Sequence, residues 1–398
     1  MSGSLPVQTA GFAPDMEHQP PLASGFVLKV AGRCNLDCGY CYMYNKGDSS
    51  FRLRPKFMST EVVAAVLRRI ADYAQRHQLP NIALALHGGE PLLVGRRWVS
   101  WFFEEAQRIS RQSEVAFTFA VQTNGTLLDQ AWLGLFAEYD VRVGVSCDGP
   151  PHWHDKARPD RAGRGSYIRV RRALDLLAAS YTSHWGVLTV ADPGIPGREI
   201  LQHFAEIGIP HVDFLWPDFH HDDRPPWPPG TLGRYFTDLF DFWYDELGSK
   251  PRVRWFASAV ALLLGGDSTF DALGPQPLTD IMVESDGSWE PLDVLRICGD
   301  GFTRTGLDAL QHDVEAIWNI PLYAAGLRNQ SLLPSDCRSC GFREVCGGGY
   351  LPHRYDRQNG FANSSVHCAD LRVVLSHIRD RLACDLSPFM AHEARHNA

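Results

Sequence analysis

Apolar positions along the chain alternate between two rhythms. Short apolar runs at FVLKV (26–30), IALALHG (82–88), FTFAVQ (117–122), VRVGVS (141–146), WGVLTV (185–190) and HVDFLW (211–216) predict strands. Between them, STEVVAAVLRRIADYAQRH (59–77), WVSWFFEEAQRIS (98–110) and QAWLGLFAEY (130–139) carry apolar residues at helical spacing, and further helices are expected near 166–180 and 198–207. The first of these helices opens on a Ser/Thr cap. Six strands separated by helices imply parallel βαβ units with right-handed crossovers. The pattern predicts an α/β fold, a partial (β/α)6 barrel of the TIM type. No G-x-G-x-x-G follows the first strand, which argues against an open dinucleotide fold. In such a barrel, chemistry gathers at the C-terminal ends of the strands. Four loops stand there: RCNLDCGYCYMY (33–44), HGGEP (87–91), QTNG (122–125) and SCDGP (146–150).

The remaining segments set the expected organisation. Residues 1–24 are Gly-, Pro- and Ser-rich and read as a flexible N-terminal arm, 25–230 as the barrel, and 231–274 as a helical bridge. A loop-rich, Cys- and Gly-rich auxiliary domain follows over 275–372, then a C-terminal helix and tail over 373–398. HHDDRPPWPPG (220–230) is a break in composition that closes the barrel, and its HHDD (220–223) is expected to be a solvated loop rather than a metal site.

Composition narrows the function. The chain has 398 residues, 44% hydrophobic and 21% charged, with a net charge of -8, a globular balance that disfavours broad electrostatic binding of nucleic acid. No apolar run approaches the roughly 20 residues that span a bilayer, and the N-terminus lacks the basic and apolar regions of a secretory signal; cysteines that must stay reduced to hold clusters point to the cytoplasm.

Ten cysteines carry the chemistry. Cys34, Cys38 and Cys41 have the spacing C-x3-C-x2-C, which suits an iron–sulfur cube with one iron left open. Zinc usually wants a fourth ligand, and no further Cys or His lies close by. Cys337, Cys340 and Cys346 form C-x2-C-x5-C, with Cys368 following, and this set suits structural zinc or a fully ligated cluster. Cys147, Cys298 and Cys384 read as free thiols.

Together the first cysteine loop and the three that follow resemble the radical S-adenosylmethionine (SAM) superfamily. The resemblance implies a [4Fe–4S] cluster on Cys34, Cys38 and Cys41 whose open iron chelates SAM, and cleavage of SAM to a 5′-deoxyadenosyl radical. It implies that Tyr40, Gly88, Gly89, Glu90, Gln122, Asn124, Ser146, Asp148 and Arg158 bind SAM. Glu90 and the glycines would meet the methionine ammonium, Asn124, Ser146 and Asp148 the ribose or methionine, and Arg158 the carboxylate. It also implies a cytosolic electron donor as partner.

The tail resembles the SPASM extension of peptide- and protein-modifying members, which binds auxiliary [4Fe–4S] clusters. It departs from that pattern, because Leu292 and Tyr350 stand where cysteines of the first auxiliary cluster would be. Two clusters are therefore expected, the auxiliary one on Cys337, Cys340, Cys346 and Cys368. The run CRSCGFREVCGGGYLPHRYDRQNGFANSSVHCADL (337–371) further resembles the FxsB-type maturases, which include enzymes forming three-residue cyclophanes. That likeness implies a ribosomal precursor peptide as partner and a C–C bond from a Cβ to an aromatic ring. Asp293, directly after Leu292, is the expected general base; His353, Arg354 and Tyr355 are expected to contact peptide, tune the cluster or pack the Gly-rich loop. Other SPASM-type reactions (Ser or Cys oxidation, thioether formation, epimerisation) and a non-catalytic zinc-ribbon protein are the alternatives, with sulfatase-type oxidation disfavoured by the absent first auxiliary cluster.

Overall fold

A computed structural model describes residues 20–396, with side chains to residue 387. The arm expected over 1–24 thus lies outside the described residues as far as residue 19.

One sheet organises the molecule. Its parallel strands are β1 (Gly25–Ala31), β2 (Asn81–Gly88), β3 (Ala116–Thr123), β4 (Arg142–Ser146), β5 (Trp185–Val190), β6 (His211–Leu215) and β7 (Arg252–Val253). On the other side of β1, β8 (Ile281–Val283) pairs in parallel and β9 (Trp289–Glu290) returns antiparallel to β8. The order β7-β6-β5-β4-β3-β2-β1-β8-β9 makes β1 an interior strand, so the six-stranded arc expected from the sequence is lengthened at both ends. Helices α1 (Thr60–Arg76), α2 (Arg96–Ser113), α3 (Gln130–Glu138), α4 (Pro151–Ala157), α5 (Tyr167–Ser180) and α6 (Gly197–Glu206) lie in the strand connections, with α7 (Thr231–Asp241) and α8 (Arg254–Leu263) after β6.

Local chemistry accounts for these elements. In α1 the Ser59 hydroxyl caps the Val62 amide at 3.3 Å, and Val63, Val66, Leu67, Ile70, Ala71 and Ala74 bury one stripe against the sheet. Asp129 caps α3 through the Trp132 amide at 3.0 Å. The expected bridge is interrupted: α7 and α8 flank β7, a two-residue strand too short to leave a periodic trace.

The cysteine-rich tail is built onto the barrel. A helix, Cys368–His396, begins at the last cysteine of the second set, five residues before the expected start, and packs on α7 and α8. Its Leu371, Val374, Leu375 and Ile378 join the hydrophobic core that also holds the sheet. The approach is close: a Cβ on Gly233 of α7 would stand 2.6 Å from the Asp370 carbonyl oxygen, and the Asp370 carboxylate instead accepts the Gly233 amide at 2.8 Å. A second apolar cluster, with Leu295, Ile297, Cys298, Leu351, Tyr355 and Phe361, holds the tail's loops together.

The HHDD segment is not the solvated loop expected. His220 is buried and contacts the Ile297 carbonyl at 3.0 Å, His221 contacts the Ser364 carbonyl at 2.8 Å, and Asp222 accepts the Arg357 amide at 2.9 Å. These bonds tie the barrel's last long loop to the tail. Among the described residues no helix is long and apolar enough to cross a membrane.

Candidate active site

The loops after β1 to β4 meet around one cavity of about 290 Å³. Cys34, Cys38 and Cys41 line it together, unpaired by any disulfide. Two glycines let the second loop approach the first. A Cβ on Gly88, whose φ is +140°, would lie 2.3 Å from the Ala31 carbonyl, and one on Gly89 would lie 2.4 Å from that of Arg33. Burial pushes the Cys34 thiol up to about 12 and Cys38 up to about 11, so the loop holds thiolates only when a cation displaces their protons.

Among the described residues no three His, Cys, Asp or Glu side chains converge closely enough to hold a single metal ion. The donor sets themselves, three unpaired thiols on one cavity wall and four around a second pocket, suit iron–sulfur clusters. Cys337, Cys340, Cys346 and Cys368 share a second pocket, and Leu371 lines both that pocket and the main cavity.

Of the residues expected to bind SAM, Tyr40, Gly88, Gly89, Gln122, Asn124, Ser146 and Arg158 line the cavity. Gln122 donates to the Ser146 hydroxyl at 2.9 Å, and the Asn124 amide nitrogen reaches Asn35 at 2.8 Å and the Cys34 sulfur at 3.7 Å. Arg158 stands 5.2 Å from the Tyr40 ring centre.

Two expected SAM ligands do not face this space. Asp148 is buried and takes Arg158 in a bidentate grip at 2.8 and 3.1 Å, with the Tyr40 hydroxyl donating at 2.5 Å. Burial alone would raise its carboxyl, but the Arg158 guanidinium outweighs that and holds it below the ordinary range. Asp148 thereby orients Arg158 and Tyr40. Glu90 is wholly buried behind the glycines and accepts from the Leu92 and Asn124 amides at 3.0 and 2.7 Å and from the Thr123 hydroxyl at 2.7 Å. Its oxygens clasp the loops after β2 and β3, while Gly88 and Gly89 line the cavity.

Asp293, the expected base, also lies behind the wall. It is paired with Lys29, wholly buried in β1, and accepts from the Tyr42 hydroxyl at 2.5 Å. Lys29 holds its carboxyl well below the usual range, a poor setting for accepting a proton. Tyr42 and His87, which share Lys29 at 3.1 Å each, are the parts of this network that line the cavity.

The far end of the cavity was legible from motifs only at His353. Trp216, Asp218, Asp271, Tyr350 and His353 line it. Asp218 follows β6 by three residues, where the strand-end rule places function, but the Pro-rich break around it hid the signal. Burial pushes its carboxyl up to about 7. His353 Nε2 stands 3.7 Å from Asp218 without a hydrogen bond, and burial drops its imidazole to about 3, so the two meet as neutral His and a readily titrated acid. Arg354 is buried and donates to the Phe361 and Asn363 carbonyls at 3.1 Å, and Tyr355 packs in the second apolar cluster; both hold the tail's loops. Leu292 borders that same cluster, while Tyr350 forms part of the cavity wall.

Known proteins place this geometry. The family model for the Radical SAM superfamily matches residues 28–207. A serine-type anaerobic sulfatase-maturating enzyme of Klebsiella aerogenes is 32% identical over 356 residues, covering 85% of this chain and 82% of that one. A cysteine-type enzyme of Clostridium perfringens is 24% identical over 375 residues, covering 91% and 98%. The solved structure of native anSMEcpe with bound AdoMet and Cp18Cys peptide has a TM-score of 0.77 at 23% identity, covering 93% of this chain and all of that one, and supports the fold. With cysteine sets that fit its iron–sulfur and SAM cofactors, the chain belongs to the Radical SAM superfamily of oxidoreductases, as a relative of the anaerobic sulfatase-maturating enzymes.

Proposed function

We propose that this enzyme modifies a ribosomally made peptide by removing a Cβ hydrogen and joining that carbon to a nearby aromatic ring. When bound, the cluster and SAM supply a 5′-deoxyadenosyl radical. Everything else is asked of the chain itself. Arg158, aimed by Asp148, offers a guanidinium to the SAM carboxylate, and Gln122, Asn124 and Ser146 offer polar atoms to the remainder of the molecule. The aromatic and acidic far end, with Trp216, Asp218, Asp271 and Tyr350, receives the peptide.

Forming the bond requires the ring to lose one proton and one electron. Asp218 is the cavity-facing carboxylate suited to the proton, because its affinity is matched to neutral pH. The electron has an acceptor within reach if the four-cysteine pocket holds its cluster, since Leu371 borders both spaces. That shared wall is the observation that carries the reading. The Leu and Tyr at positions 292 and 350, in place of first-cluster cysteines, support a single auxiliary centre.

The second reading is oxidation of Ser or Cys, favoured by 32% identity to the serine-type maturase of Klebsiella aerogenes. Co-expression with candidate precursor peptides separates the two. Both crosslinking and Ser oxidation remove two hydrogens, but a crosslinked peptide resists fragmentation between the joined residues and does not react with a hydrazide. A hydrazide-reactive product with full backbone fragmentation would establish oxidation instead.

A further inference from the structure

Asp271 borders two spaces. It lines the main cavity at its far end, and it also lines a side pocket of about 90 Å³, well beyond what a single water needs. Leu292 lines the side pocket and Tyr350 the main cavity. Both stand where the SPASM pattern has cysteines of its first auxiliary cluster, so no thiolate set claims this region. The side pocket has apolar walls, with Leu292, Leu295, Leu322 and Tyr323, and a second carboxylate, Asp280. The Tyr323 hydroxyl is already spent on the Thr279 carbonyl at 2.8 Å. Asp280 lies across Gly25 at the start of β1, where a Cβ would stand 2.3 Å from its Oδ1. Asp271 and Asp280 both remain accessible, and neither has a salt bridge or a side-chain hydrogen bond among the described residues. Arg254, whose charge Asp271 feels, is already held by Asp213 through its Nε at 2.8 Å and through Nη2. Burial pushes the Asp271 carboxyl up to about 6, with the charge of Asp280 adding to it, and burial raises Asp280 as well. Two carboxylates on an apolar pocket, without a cation of their own, make a site that a cation completes.

We infer that the side pocket seats a lysine or arginine side chain of the peptide, its stem along Leu292, Leu295 and Leu322 and its cationic head between Asp271 and Asp280. The inference rests on the reading that the main cavity receives a peptide, and adds the class of side chain that peptide carries. Because Asp271 belongs to both spaces, the basic residue stands within a few positions of the modified one. A long basic side chain matches the pocket at both ends, since its methylenes cover apolar surface while its head stays charged. A glutamate there would meet two like charges, and an uncharged chain of the same length would leave both carboxylates unpaired. The pocket therefore selects the peptide as well as holding it. No bond forms or breaks in this step.

The test uses the reconstituted holoenzyme with SAM and two kinds of probe. The first is N-acetyl-lysine N-methylamide, with its norleucine analogue as the uncharged control. The second is a set of synthetic tryptophan-centred peptides in which lysine, norleucine or glutamate is walked through the neighbouring positions. In saturation-transfer NMR titrations the lysine probe should bind and the norleucine analogue should not. The double variant Asp271→Asn/Asp280→Asn should weaken lysine binding at least about tenfold, whereas Asp280→Glu, which keeps the charge, should hold it within about threefold. Lysine peptides should bind at least about tenfold tighter than norleucine peptides at one position, with glutamate weakest there. No binding of the lysine probe by the parent, or equal binding by the asparagine variant, would overturn the inference. So would an equal loss in Asp280→Glu, which would assign Asp280 to the fold rather than to a charge. A lysine probe held by the two carboxylates while no peptide binds would keep the subsite and strike at the peptide reading. Peptide binding indifferent to lysine at every position would overturn the subsite and leave the peptide reading standing.

Discussion

Lys29 and Asp293, 264 positions apart, form an ion pair in which the lysine is wholly buried. The pair fastens an interior strand of the barrel to the cysteine-rich tail, and Tyr42 from the first cysteine loop completes it by accepting from Lys29 and donating to Asp293. Strand β1 and the cysteine loop that follows it are thus locked to a segment more than 250 positions away. A second buried set does the same nearby: Arg296, fully buried, contacts Asp48, Glu284 and Glu290. Burying such charges is costly, and removing one partner strands the others.

Lys29→Met should therefore destabilise the protein by about 3–5 kcal/mol, because a carboxylate is left unpaired in a dry setting. The double variant Lys29→Met/Asp293→Leu should recover much of that loss. Urea unfolding midpoints at constant m-value check both.

Arg158→Ala and Asp148→Asn should weaken SAM binding to similar degrees, on the order of 1.5–3 kcal/mol for a charged hydrogen-bonding group. They act on one ligand contact, since Asp148 works through Arg158. Equilibrium dialysis with labelled SAM measures each, and the double variant should add little to either alone.

Cys346→Ser should lose the auxiliary cluster and keep the first one. Iron content is expected to fall from about eight to about four per chain. Dithionite-driven SAM cleavage should persist while modified peptide disappears, a split read by parallel chromatography of 5′-deoxyadenosine and peptide.

Asp218 gives a signed pH dependence. With its carboxyl raised to about 7, it is protonated and unable to accept a proton below that pH, and becomes competent above it. Peptide modification should rise through neutrality and level off, and Asp218→Asn should remove the rise. Stability should move the opposite way. The folded chain holds this proton more tightly than the unfolded chain, so its contribution falls as pH increases from the ordinary carboxylate range, near about 4, to about 7. At pH 8 Asp218→Asn should therefore be the more stable form.

Much of this architecture was written in periodicity. Strands β1 to β6 lie within one residue of their apolar runs, because a buried parallel strand needs an unbroken apolar segment and little else does. Strands β7, β8 and β9 were missed, being two or three residues long and set by what they pair with rather than by pattern. Motifs located the cavity but not the orientation within it. Glu90 and Asp148 sit at the expected positions, yet their oxygens are consumed by neighbouring amides, hydroxyls and a guanidinium, which no spacing reveals. Asp293 is hidden for a related reason, since its partner Lys29 reads in sequence as one polar letter in an apolar strand. The HHDD loop misled in the other direction, because its polar composition gave no sign that His220 is covered by the tail.

The account stands on two iron cubes held by two cysteine sets, with the first open to SAM. Mössbauer spectroscopy of protein reconstituted with iron-57, recorded before and after SAM is added, tests this most directly. The expected result is about eight irons per chain in two [4Fe–4S] environments, with only one environment perturbed by SAM. Spectra of a single cluster, or iron unresponsive to SAM with stoichiometric zinc in the tail, would contradict it.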